Sequence, residues 1–184
     1  MPVTRLSWLA ALAGAAIALG CGEGRVILNV DVLSFIGGQG NDTVHYTVTG
    51  GDAVTIDNPP VPVTLLKGLG NATVDSVTLT VGAYVENQAG GGNVKFQIFF
   101  ASTQAGVYAG TPYAQDSAMV SGVDTDTLLP APVPLVADSL FGQDQIWVGV
   151  RLLVSADPPV APAMDGRLRL FTVRLRIILQ ENVF

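Results

Sequence analysis

The chain has 184 residues, of which 49% are hydrophobic and only 13% are charged, a balance that excludes an intrinsically disordered protein. Its net charge of −6 and its scarcity of lysine exclude a nucleic-acid-binding protein. The 21 glycines and 11 prolines, together with many valines and threonines, are typical of a β-rich domain.

The first element along the chain is an apolar leader. One cation, Arg5, precedes an uncharged run over residues 6–19. This run has the length of a signal-peptide core, and it is too short to cross a bilayer of about 30 Å as a helix. We therefore expect residues 1–20 to direct export. The leader ends beside Cys21, the sole cysteine of the sequence.

The stretch Ala18-Leu19-Gly20-Cys21 resembles the lipobox of bacterial lipoproteins. The resemblance implies cleavage before Cys21, attachment of a diacylglycerol to its thiol and acylation of its new amine. Apart from these acyl groups we expect no cofactor. Gly22 after the cysteine implies sorting to the outer membrane, with residues 21–24 as a short tether. The alternative is simple secretion after cleavage at Ala16-Ile17-Ala18, which would leave a free thiol.

Alternating apolar and polar residues predict strands through the first half of the remaining chain. The predicted strands cover residues 25–36, 42–49, 53–57, 61–66, 72–86 and 94–102. The glycine-rich residues 37–41 predict a hairpin loop between the first two strands. The loop 87–92 predicts a second hairpin, between the last two.

The second half continues the pattern. Its predicted strands cover residues 118–123, 126–136, 145–156 and 167–180, and residues 137–143 could hold one helical turn. In the last strand the apolar positions change from even to odd numbers near Phe171, which predicts a β-bulge. About nine or ten strands without a long helical pattern predict one antiparallel two-sheet sandwich over residues 25–184, either immunoglobulin-like or jelly-roll-like.

The sequence GGQGNDTVH, residues 37–45, fits the nonapeptide of calcium-binding β-helices. Such a site needs stacked copies, and neither residues 67–75 nor residues 89–96 supply the required aspartate. We therefore interpret the motif as a hairpin turn and expect no metal site. Asp42 is a weak metal candidate, because calcium needs six to eight oxygen ligands and this loop offers one carboxylate plus backbone carbonyl groups.

No residue pattern points to catalysis. His45 is the only histidine and stands within a predicted strand, no serine stands in a G-x-S-x-G sequence, and Cys21 is assigned to lipidation. The carboxylates of Asp124 and Asp126 are interpreted as exposed turn residues. We expect no catalytic residues and no enzymatic activity.

Two sets of outward side chains are candidate binding surfaces. Residues 21–150 carry a net charge of −9 and residues 151–184 a net charge of +2. Arginines on the last strand predict either a surface for an anionic partner or a solvated face paired with acids: Arg167, Arg169, Arg174 and Arg176. Three aromatic side chains predict a ligand surface for sugar or protein if they share one sheet: Tyr84, Phe99 and Trp147.

The sequence as a whole predicts a lipid-anchored β-sandwich of the cell envelope with a binding or structural role. We expect it on the outer membrane, at the periplasmic or the surface side. The expected partners are the membrane, through the anchor, and an envelope protein or glycan. The alternatives are a secreted carbohydrate-binding or adhesion-like module and a small hydrolase that uses carboxylates.

Overall fold

A computed structural model describes residues 24–65, 73–136, 139–158 and 163–181. The predicted leader, the lipidation site Cys21 and the tether up to Glu23 lie outside the described residues. The described chain forms two antiparallel sheets that pack face to face, so the predicted all-β sandwich is confirmed.

The first sheet, here called sheet A, has the two longest strands at its centre. Its strands are β1 (Gly24–Asp31), β2 (Thr43–Val48), β5 (Thr73–Ala89), β8 (Asp124–Leu128), β9 (Val133–Val136) and β11 (Met164–Glu181). The strands β11 and β5 pair with each other along almost their whole length. On the far side of β11 lie β1 and β2, and on the far side of β5 lie β8 and β9.

The second sheet, sheet B, has the same plan. Its strands are β3 (Ala53–Asp57), β4 (Val61–Thr64), β6 (Gly91–Ala101), β7 (Ala114–Ser121) and β10 (Gln145–Ala156). The strand β10 pairs with β6 on one side and with both β3 and β4 on the other, while β7 forms the opposite edge. The prolines between β3 and β4 therefore lie in an edge strand, where a missing N–H costs no ladder bond.

Three edge strands are each interrupted once. Both β1 and β2 pair with β11, both β3 and β4 pair with β10, and both β8 and β9 pair with β5. Counting each pair as one strand gives eight strands, with the spatial orders 1-8-3-6 and 2-7-4-5. This order is that of a jelly roll and differs from the immunoglobulin order. Counted separately, the eleven strands of the described chain exceed the nine or ten that were predicted, because prolines divide the predicted strand 126–136 into β8 and β9.

The core lies between the two sheets and is built by the predicted alternation. On β10, whose bounds match the prediction, every inward position is buried, from Ile146 to Val154. The predicted bulge is confirmed, since the register of β11 against β5 shifts between Leu170 and Thr172. The extra residue, Phe171, lies over Gly82, where a Cβ atom would stand 2.5 Å from its ring.

The predicted strand 25–36 is wrong in its second half. The strand β1 ends at Asp31, and Val32–Gly37 form a short helix, α1. The helix buries Val32 and Ile36, which stand one helical turn apart. The predicted hairpin across residues 37–41 is also wrong, because β1 and β2 both pair with β11 rather than with each other. None of the helices formed by the described residues is long and apolar enough to cross a membrane.

The predicted hairpin between residues 72–86 and 94–102 is wrong as well. The two strands exist, but β5 belongs to sheet A and β6 to sheet B. The chain passes between the sheets at Gly90 and Gly92, whose φ angles are 68° and 153°. At Gly92 a Cβ atom would stand 2.1 Å from the carbonyl oxygen of Ser155. Only glycine fits this corner.

Candidate binding surfaces

The three candidate aromatic residues do not form one platform. Tyr84 lies on β5 of sheet A, whereas Phe99 and Trp147 lie on β6 and β10 of sheet B. Phe99 has the predicted outward orientation, but only 2% of its surface is exposed. Trp147 is half-buried, opposite Pro62 and Ala101.

A short 3₁₀ segment, Gln104–Ala109, covers Phe99 on the outer face of sheet B. The ring of Tyr108 meets the ring of Phe99 edge-to-face, with 5.4 Å between their centroids. The segment can approach the sheet because residue 149 is glycine, where a Cβ atom would stand 2.4 Å from Val107. The hydroxyl of Tyr108 contacts the carbonyl oxygens of Asn58 and Val150.

Arg151 completes this covered region. Its guanidinium donates two hydrogen bonds to Asp57, at 2.6 and 2.8 Å, and lies over the rings of both Phe99 and Tyr108. Burial raises the pKa of Tyr108 to about 12, and the charge of Asp57 adds to the rise. Each of these polar groups has a partner within the fold. We therefore assign the region a structural role.

The candidate arginine surface lies on the outer face of sheet A, and the structure divides it into two halves. Near the start of β11, Arg167 donates a hydrogen bond of 2.8 Å to Glu86, and Arg169 lies 3.6 Å from the same carboxylate. Arg169 also lies over the ring of Tyr84, which packs on Phe171. This half is internally paired, as expected for a solvated sheet face.

The other half of the arginine surface contains Arg174 and Arg176. Both side chains are exposed, and neither makes an ion pair or hydrogen bond within the described chain. They line a groove of about 390 Å³, whose remaining walls come from β1 and β5. The groove contains the polar residues Asn29, Asp31, Thr78, Thr80, Arg174 and Arg176.

The GGQGNDT motif forms the turn between α1 and β2. Asn41 holds the turn to the rest of the fold, because its side chain donates to the carbonyl oxygen of Pro59 and its own carbonyl oxygen accepts from Asn58. The backbone oxygen of Asp42 accepts from the N–H of Leu170. The motif therefore serves as a local turn, although not the hairpin that the sequence predicted.

The remaining candidate residues are exposed on β8 and β2. Asp124 and Asp126 are exposed on β8, and each carboxylate accepts a hydrogen bond from the N–H of the next residue, at 2.8 and 2.7 Å. His45 is exposed on β2, opposite Arg167. Over the residues that the structure describes, no group of three or more His, Cys, Asp or Glu side chains could hold a metal ion.

One buried polar residue was missed by the sequence analysis. Asn87 is 2% exposed, and the two N–H bonds of its amide are shared among the carbonyl oxygens of Ala89, Gly90 and Gly122, which lie 3.0, 3.1 and 2.6 Å from the nitrogen. Its own oxygen accepts from the hydroxyl of Tyr46 at 3.1 Å. The alternation of β5 places residue 87 inward, so the same pattern that predicted the core could have found it. Asn87 joins strands and loops at one end of the sandwich.

No protein-family model matches the sequence, and no curated protein matches it. Several solved structures match the chain at low sequence identity and low TM-score. The structure of the infectious bursal disease virus Gx strain has a TM-score of 0.36 and 9% identity, over 86% of this chain and 36% of that chain.

Two further structures show the same level of likeness. TmCBM61 in complex with β-1,4-galactotriose has a TM-score of 0.29 and 12% identity, over 83% of this chain and 89% of that chain. Latent PorU from Porphyromonas gingivalis has a TM-score of 0.30 and 9% identity, over 89% of this chain and 14% of that chain. The chain therefore spans only part of the viral protein and of PorU.

Proposed function

We propose that this protein is an exported lipoprotein of the cell envelope, anchored through Cys21, whose jelly-roll sandwich acts by binding or by structure rather than by catalysis. The observation that carries the proposal is the position of the sole cysteine. It follows an apolar leader directly and precedes the first residue of β1, Gly24, by three residues. Several acyl chains on one residue would hold a protein firmly at a membrane, whereas one chain binds only marginally.

The fold would then place one end of the sandwich next to the bilayer. Gly24 pairs with Glu181, so both termini of the described chain lie at the same end. The strand β11 has 18 residues, which corresponds to about 55 Å at roughly 3.3 Å per residue. The opposite end carries the ends of β2, β5, β7 and β10. The loops that follow these strand ends would be presented away from the membrane.

Labelling with radioactive palmitate tests the anchor. We expect the wild-type chain to incorporate the label and the Cys21→Ala variant to lose it. A lipobox usually has leucine three residues before the cysteine and a small residue two before it, whereas Ala18 and Leu19 stand in the reverse order. A paired control is therefore the exchange Ala18→Leu with Leu19→Ala, which gives the usual order and should keep the label. Label that never enters the wild type, or that survives Cys21→Ala, would overturn the proposal.

A further inference from the structure

The unpaired half of the arginine surface has the chemistry of an oxyanion site. Arg174 and Arg176 stand two residues apart on one strand, so their side chains leave the same face of sheet A. Directly opposite them on β5 are Thr80 and Thr78. Two guanidinium groups and two hydroxyl groups therefore border the same groove. Such donors match the oxygen atoms of a phosphate group.

The contrast with the paired half of the strand shows that this arrangement is not a general property of the surface. Arg167 and Arg169 share the carboxylate of Glu86, which offsets one of their two positive charges. Asp31 stands opposite Arg174 in the strand register, yet the two make no ion pair. The groove thus keeps two cationic groups available to a ligand.

The groove also lies on the strand that would lead from the lipid anchor. Asn29 and Asp31, which form one wall, belong to β1. Two more exposed residues occupy the same face of β1, Arg25 and Ile27, and Ile27 is 51% exposed. A cation, an exposed apolar side chain and a cationic groove in one row are suited to a lipid headgroup layer.

Exposed acidic residues lie at both ends of the molecule. Asp52, Asp124 and Asp157 lie beside the loops at the end opposite Gly24, and Asp75 and Asp144 lie toward the Gly24 end. With a net charge of −6, the chain as a whole is repelled by an anionic membrane. An orientation that turns the free arginines toward the lipid phosphates reduces this repulsion.

We propose that the groove of Arg174 and Arg176 binds the phosphate groups of anionic membrane lipids and holds the half of sheet A's outer face that lies nearer Gly24 against the bilayer. This inference deepens the proposed function, since the acyl anchor at Cys21 would deliver the groove to the lipid surface. The guanidinium groups supply the charge, and the hydroxyl groups of Thr78 and Thr80 supply neutral donors.

The test uses residues 22–184, which contain every described contact and lack Cys21, so its outcome does not depend on lipidation. Co-sedimentation is measured at low salt with vesicles of phosphatidylcholine alone and with vesicles that also contain phosphatidylglycerol. We expect binding to the anionic vesicles only. The double variant Arg174→Gln with Arg176→Gln should bind about thirtyfold more weakly, given the usual contribution of each cation near an anionic surface.

The chain supplies matched controls for this loss. Arg169→Gln removes a charge from the same strand and face but outside the groove and farther from Gly24, so it should weaken binding by less than the roughly fivefold expected for one groove arginine. Asp31→Asn removes the acid of the groove and should strengthen binding by about fivefold. A gain of this kind cannot result from a damaged fold, and it separates a binding role from a structural one.

A second arm distinguishes the lipid from free phosphate as the ligand. Inorganic phosphate is compared with chloride at equal ionic strength in a thermal-unfolding assay of the wild type and the double variant. Vesicle binding that depends on both arginines supports the proposal. If inorganic phosphate stabilises the wild type but the protein does not bind vesicles, the ligand is free phosphate and the proposal of a lipid ligand is overturned. Equal vesicle binding by wild type and double variant overturns the site itself.

Discussion

Replacing Asn87 with alanine tests how the far end of the sandwich is held together. The side chain is buried and makes four hydrogen-bond contacts: its oxygen accepts one, and its two N–H bonds are shared among three carbonyl oxygens. Removing it leaves the hydroxyl of Tyr46 and the carbonyl oxygens of Ala89, Gly90 and Gly122 without this partner. Each such bond contributes about 1 kcal/mol net, and a buried group left unsatisfied costs about 1–3 kcal/mol.

We therefore expect Asn87→Ala to lower the free energy of unfolding by about 3 kcal/mol, since some of the freed carbonyl groups reach water. In a domain of this size each kcal/mol lowers the melting temperature by roughly 2–4 °C, so the expected loss is about 6–12 °C. Tyr46→Phe removes one of the four bonds and should cost about 1–2 kcal/mol.

The assay is equilibrium unfolding of residues 22–184 in urea, followed by the fluorescence of Trp147, the one tryptophan in that segment. The neighbouring substitution Gln88→Ala is the control, because its side chain is exposed and should change stability by less than about 0.5 kcal/mol. A loss below about 1 kcal/mol for Asn87→Ala, at an unchanged urea dependence, would show that these hydrogen bonds do not hold this end of the sandwich together.

Gly149→Ala should lower stability by about 1–3 kcal/mol, because its Cβ atom would stand 2.4 Å from Val107; an unchanged urea midpoint would show that the covering segment is not packed as described. Because burial raises the pKa values of Tyr46 and Tyr108 to about 12 from 10.0, the stability these phenols contribute is present below pH 10.0 and is lost as the pH rises toward 12. The ultraviolet absorbance of phenolate should show two of the four tyrosines ionising only near pH 12 or on unfolding, and ionisation of all four well below pH 12 in the folded chain would contradict this. Millimolar calcium should leave the melting temperature unchanged, because the turn at Asp42 offers too few oxygen ligands; a clear rise would restore a calcium site there.

Much of the fold could be predicted from local alternation alone. The strand β10 has the predicted bounds, and the inward residues of β5 and β10 are buried as expected. The change of phase near Phe171 located the bulge correctly. These features depend on which face of one strand meets the core, and a sequence of alternating side chains records that directly.

The candidate sites could be predicted only in part, for the same reason. Alternation placed Phe99 on the outer face, but a segment distant in sequence covers it through Tyr108. It placed four arginines in one row, but Glu86 on a neighbouring strand pairs with only two of them. Exposure and ion pairing depend on contacts with residues distant in sequence, which local alternation does not predict.

Local sequence pattern is enough to predict that the chain forms β-strands, which side of most strands faces the core, and where β11 carries an extra residue. Contacts between distant segments are needed to know which strands pair, that Val32–Gly37 form a helix between two segments of one edge, and that β5 and β6 belong to opposite sheets. This division arises because burial on one face imposes a period of two on the local sequence, whereas hydrogen bonds and packing between residues far apart in the chain set the pairing.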